Sequence, residues 1–293
     1  MQKALCFMLL ASAQIPIMII DSHQHFWKYH PVKDAWITDD MKVIQDDFLP
    51  HNLLPVLQQN GVDACVAVQA DQSEEETQFL LDLAAAHPFV KGVVGWVDLR
   101  AENLEERLQH YTQFKTLKGF RHIVQGEPDP AFLLKEGFCK GIRALQPYNF
   151  TYDILVYPIQ LPAVEKFVQL FPQQKLVIDH MAKPYCKTGD IATWEKSMRT
   201  IAASSNVYCK ISGLVTEADW QNWTADTFKP YLDVVLEAFG PQRLMYGSDW
   251  PVCLVAGQYA EVKGMVTDYI SRLSKTEQAA IMGGNAAAFY NLV

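Results

Sequence analysis

Eight short runs of apolar, often β-branched residues punctuate the chain, with longer stretches of helical period between them. The runs are Ile17–Asp21, Ala64–Gln69, Gly92–Val97, Gly119–His122, Tyr152–Val156, Leu176–Asp179, Val207–Ile211 and Leu244–Tyr246. Such alternation predicts βα units and a parallel sheet. Eight units in succession predict an α/β fold of the (β/α)8 TIM-barrel type. An open doubly wound sheet is the alternative, but the Gly-rich first turn it usually carries is absent.

The stretches between the runs support this. Glu74–His87 places Phe79, Leu80, Leu83 and Ala84 at helical spacing, and Ser73 with Glu76 suits a capping box. Its Glu74-Glu75-Glu76 run reads as a solvated helix start. Leu104–Phe114, Ala131–Gln146, Leu161–Phe171, Ile191–Ser204, Phe228–Phe239 and Ala260–Ser271 are similar, and Gly283-Gly284 breaks a last helix over Lys275–Leu292. The segment Ser22–Asp63 holds Pro31, Pro50 and Pro55 and predicts a long loop over the barrel mouth before a helix at Leu53–Asn60. No repeat, low-complexity segment or Pro/Gly-rich linker divides the chain, so residues 18–293 are expected to form one domain.

Composition excludes some functions. Hydrophobic residues make up 49 % of the chain, enough for a large core, and the net charge of −8 disfavours nucleic acid or an anionic membrane as partner. The six cysteines form no C-x-x-C pair, which argues against a thiolate zinc site and for free thiols in a reducing compartment. Lys3, Ala4–Leu10 and Ala11-Ser12-Ala13 are similar to a short secretory signal. Translation is expected to start at Met18, with residues 1–17 an extension outside the fold and the protein cytoplasmic. Export is the alternative. No other run approaches the roughly 20 apolar residues of a membrane span.

In a (β/α)8 barrel the active site lies at the C-terminal ends of the strands. The first run ends in His23 and His25, spaced i, i+2, so both imidazoles point the same way on a strand. Later strand ends supply Gln69, Arg121, His122, Asp179, His180, Lys210 and Asp249. Four histidines, a lysine, an arginine and several carboxylates therefore gather at one end, where core packing alone needs none. Asp21 and Asp179 read as anchors for backbone or imidazoles.

Five motifs then resemble one family: Asp-Ser-His-Gln-His-Phe-Trp at 21–27, Gly-Phe-Arg-His at 119–122, Asp-His-Met-Ala-Lys-Pro at 179–184, Cys-Lys-Ile-Ser-Gly-Leu at 209–214 and Tyr-Gly-Ser-Asp-Trp-Pro at 246–251. Together they resemble the amidohydrolase-related lactonases, TIM barrels that include the L-fuconolactonases and L-rhamnonolactonases. Val-Val-Gly-Trp-Val-Asp-Leu-Arg at 93–100, Thr-Glu-Ala-Asp-Trp at 216–220 and Phe-Gly-Pro-Gln-Arg-Leu-Met at 239–245 favour the L-fuconolactonase kind. The resemblance implies a catalytic centre of His23, His25, His180 and Asp249. It leaves the metal open between one divalent ion such as zinc, held by those four residues, and none.

The expected reaction is hydrolysis of a sugar lactone, a small-molecule substrate. Asp249 is the expected general base, and the three histidines polarise the carbonyl directly or through a metal. Arg121, His122, Gln69 and Lys210 are the expected partners of sugar hydroxyls. Trp27, Trp36 and Trp250 are expected to offer apolar faces to the ring. A metal-dependent decarboxylase or amide hydrolase on this fold, and a non-catalytic sugar-binding protein, are the rivals.

Overall fold

A computed structural model describes residues 18–292. Cys6 and the proposed extension, residues 1–17, lie outside the described residues. Eight parallel strands follow one another in chain order around a single sheet. They are β1 (Ile20–Gln24), β2 (Ala64–Val68), β3 (Val90–Gly95), β4 (Leu117–His122), β5 (Thr151–Ile154), β6 (Leu176–Ile178), β7 (Val207–Ile211) and β8 (Leu244–Tyr246). Helices Pro50–Gln59, Glu74–Ala86, Leu104–Tyr111, Glu136–Leu145, Leu161–Leu170, Ala192–Ala202, Ala225–Phe239 and Tyr259–Ile270 lie between and after them. This is the expected TIM barrel.

The barrel closes where β1 meets the chain leaving β8. The Asp249 amide donates to the His23 carbonyl at 2.8 Å, and the His25 amide donates to the Trp250 carbonyl at 2.7 Å. Gly247 stands at this seam, where a Cβ would come within 2.8 Å of the His23 Cβ. The strand therefore runs three residues further than its apolar run. Its polar half is buried because the seam satisfies it: Ser22 Oγ donates to the Tyr246 carbonyl at 2.6 Å, and Asp21 accepts from the Ser248 amide and hydroxyl at 2.9 and 2.6 Å.

Inward-facing residues divide the interior into layers. At the bottom Ile20, Val66, Val94, Val177 and Met245 pack on Phe289 and Tyr290 of the C-terminal segment. Above them Asp153, Asp179, Lys210 and Arg121 form a buried charged layer. The imidazoles and Asp249 sit on top. Outward-facing residues join the helices in the main core, which spans the whole ring of helices.

Two local expectations need correcting. The helix foreseen over 131–146 is interrupted. Lys135 takes extended backbone (φ −62°, ψ 134°) between a short turn at Phe132–Leu134 and the helix from Glu136. The break lets Phe132 stack on His122 at 4.9 Å, so packing overrides helical period. The run Glu74–Glu76 is not simply solvated. Glu76 is buried; its carboxylate accepts from the Ala70 and Asp71 amides at 2.5 and 3.0 Å and from Lys33 at 2.8 Å, which fixes the loop after β2. Among the described residues no helix is long and apolar enough to cross a membrane, and the five described cysteines are buried free thiols.

Candidate active site

His23, His25, His180 and Asp249 converge at the C-terminal mouth of the barrel. His23 Nε2 lies 3.2 Å from His25 Nε2. Asp249 Oδ1 lies 3.3 Å from His25 Nε2 and 3.9 Å from both His23 Nε2 and His180 Nε2. All four residues are buried.

Each imidazole is oriented from behind. His25 Nδ1 is 2.7 Å from the Val68 carbonyl. A carbonyl only accepts, so Nδ1 carries a hydrogen, and Nε2 faces the cluster. His180 Nδ1 pairs with Ser212 Oγ at 2.9 Å. His23 Nδ1 faces Lys210 Nζ at 3.1 Å and Asp179 Oδ1 at 3.3 Å.

His180 reaches this place through unusual backbone. His180, Met181, Ala182 and Lys183 are all left-handed, with φ of 52°, 53°, 57° and 50°. Such residues are costly without glycine and persist where the surroundings enforce them. Here Trp194 Nε1 donates to the Met181 carbonyl at 2.7 Å, and Gly213, itself left-handed at φ 64°, leaves room for the His180 ring. Asp249 is left-handed too, at φ 59°.

Burial holds the imidazoles of His23 and His180 well below the usual histidine range, against the pull of Asp179 and Asp249 respectively. Burial also works to raise the carboxyl of Asp249, but His180, His25 and Lys183 outweigh it, and the group lies below the usual carboxylate range. At neutral pH the cluster is therefore an ionised acid beside neutral His23 and His180.

The donors suit a divalent ion. His23, His25 and Asp249 form one possible ligand group, and His23, Asp179 and His180 another. Four ligands about 2.0–2.1 Å from a tetrahedral zinc stand roughly 3.3–3.4 Å apart. The 3.2 Å between His23 Nε2 and His25 Nε2 and the 3.3 Å from His25 Nε2 to Asp249 Oδ1 are close to that, and Asp249 Oδ1 stands 3.9 Å from His23 and His180.

A cleft of about 430 Å3 opens above the cluster, with His25, His180, Asp249 and Arg121 among its lining residues. Arg121 also braces the floor: it pairs with Asp179 at 3.1 Å, donates to the Gln69 carbonyl and approaches His23 Nε2 at 3.4 Å. Trp36 and Met41, from the loop after β1, form part of the wall as the long-loop reading expected.

Five expected substrate partners are placed elsewhere. His122 follows Arg121 on β4 and so faces the opposite side, where it pairs with Glu127 at 2.7 Å and stacks on Phe132. Lys210 is fully buried in the charged layer, 2.6 Å from Asp153 and 3.0 Å from Asp179. Gln69 Nε2 is spent on the Arg121 carbonyl at 3.0 Å. Trp27 and Trp250 are buried and pack on Phe48, and Trp27 donates to the Asp46 carbonyl at 3.0 Å. Instead the cleft takes Gln125, Tyr157, Lys183, Glu217 and Trp220. All follow the C-terminal ends of β4 to β7, the one sequence signal that could have found them.

The amidohydrolase family pattern matches residues 20–292. An L-fucono-1,5-lactonase of Burkholderia multivorans is 44 % identical over 284 residues, 93 % of this chain and 96 % of that one. An L-fucono-1,5-lactonase of Burkholderia ambifaria is 35 % identical, covering 93 % and 95 %. The crystal structure of an amidohydrolase from Burkholderia multivorans with bound zinc superposes with a TM-score of 0.92 at 44 % identity, over 94 % of this chain and all of that one.

Proposed function

The chain belongs to the amidohydrolase family, and we propose that it hydrolyses a sugar lactone, an aldonolactone like L-fucono-1,5-lactone, to the sugar acid. The observation that carries this is the placement of one buried, ionised carboxylate, Asp249, within 3.3–3.9 Å of three imidazoles at the floor of a cleft. The names of the 44 % and 35 % identical relatives supply the substrate class.

Asp249 takes a proton from water as the water oxygen bonds to the lactone carbonyl carbon. The carbonyl oxygen becomes an oxyanion, and it needs donors. When Ser212 donates to His180 Nδ1, the ring presents Nε2–H to the cleft, and Arg121 adds a permanent cation beside it. The tetrahedral centre then collapses, the carbonyl carbon parts from the ring oxygen, and Asp249 returns its proton to that oxygen. A divalent ion held by His23, His25, His180 and Asp249 would supply Lewis-acid polarisation of the carbonyl and a more acidic water.

The test is a panel of L- and D-aldonolactones followed by proton release, with and without chelator. The reading expects turnover of L-fucono-1,5-lactone above the rest of the panel. An absence of lactone hydrolysis with zinc supplied would overturn it.

A further inference from the structure

Beside the catalytic cluster, the cleft wall carries an ion pair that the reaction steps do not use. Lys183 Nζ lies 3.2 Å from Glu217 Oε1, and the two side chains are only 16 % and 18 % exposed. Both line the cleft. Lys183 leaves the left-handed turn of His180, and its Nζ sits 5.4 Å from the centre of the Tyr157 ring. Glu217 follows β7, and its carbonyl accepts from the Lys187 amide at 3.1 Å, which ties the two loops together. Gln125 lines the same cleft, and its amide oxygen is buried without a protein partner.

The pair has no net charge but offers ammonium donors next to carboxylate acceptors. A hydroxyl both donates and accepts, so two neighbouring hydroxyls can answer both members at once. A carboxylate carried by the substrate beside this pair would meet the negative charge of Glu217 and, across the cleft, that of Asp249. Trp36 and Trp220 give the same cleft apolar faces for a ring.

We infer that Lys183 and Glu217 act together as a reader of vicinal hydroxyls, and that they set a preference for neutral, polyhydroxylated lactones over bare or carboxylated ones. The inference rests on the lactonase reading above. A site built to pair with substrate hydroxyls discriminates strongly against an analogue that lacks them, because its own polar groups are then left unpaired.

The experiment compares kcat and KM for L-fucono-1,5-lactone and for δ-valerolactone, a six-membered lactone without hydroxyls, in the wild type, Glu217→Gln and Lys183→Gln. The expected result is a fall of at least about tenfold in the ratio of the two kcat/KM values in each variant, carried mainly by KM for the hydroxylated substrate. Glu217→Gln is also expected to narrow the gap between neutral and carboxylated lactones. A wild type that hydrolyses both lactones, with variants that keep the ratio within about twofold, overturns this inference and leaves the lactonase reading standing. A wild type that hydrolyses neither overturns both. If one variant fails to fold, the other reads the same ratio, since each removes one half of the pair.

Discussion

The amide of Asp249 donates to the carbonyl of His23 at 2.8 Å. This bond belongs to the seam that closes the barrel, and it fixes the acid that follows the last strand against the first strand's His23. The spacing of the proposed catalytic groups is a by-product of closure.

The turn that carries His180 depends on Gly213. A Cβ there would lie 2.5 Å from His180 Nδ1, on backbone already at φ 64°. Gly213→Ala is expected to cost about 1–3 kcal/mol of stability. It should also push His180 off Ser212 and lower kcat. Thermal melts and kinetics check both, and an unchanged kcat would mean that the orientation of His180 is not needed.

Zinc titrated into metal-free protein is expected to bind one ion per chain, followed by calorimetry. His180→Ala or His25→Ala should weaken that binding by more than the about ten- to a hundredfold typical of losing a residue that only braces a ligand. Metal affinity unmoved by both variants would show that the ion sits elsewhere.

Asp21 supplies a pH signature. Burial pushes its carboxyl up to about 6, against its hydrogen bonds from Ser248, His23 and Tyr259. The native state therefore holds this proton more tightly than the unfolded chain does. The resulting stability is present below pH 3.8 and is lost as pH rises through about 6. Relative to Asp21→Asn, the wild type should lose stability across that window, by at most about 3 kcal/mol. Denaturant melts of both proteins between pH 4 and pH 7 test this, and parallel curves would contradict it.

Much of this architecture can be read from the residues. The eight runs predict the barrel, and the His-x-His pair, Asp179-His180 and Asp249 predict which strand ends meet. What the residues do not show is where side chains go once the strand ends are reached. Arg121 and His122 are neighbours on β4, so only one can face inward, and which one does is settled by the sheet around them. Trp27, Trp36 and Trp250 look alike in sequence, yet only Trp36 reaches the cleft, because the loop after β1 buries the other two. Met181 and Ala182 carry no local sign of left-handed backbone; Trp194 and Gly213 hold it from distant elements. Glu76 reads as a solvated acid until Lys33 and two loop amides are brought to it by the fold.

In the proposed chemistry Asp249 primes water against a cyclic ester held by the imidazoles. Proton release from L-fucono-1,5-lactone by Asp249→Asn, beside the wild type and with matched thermal melts, tests it most directly. The expected result is a loss of at least about a thousandfold in kcat with the melting temperature nearly kept. A folded variant with near-normal turnover would contradict it.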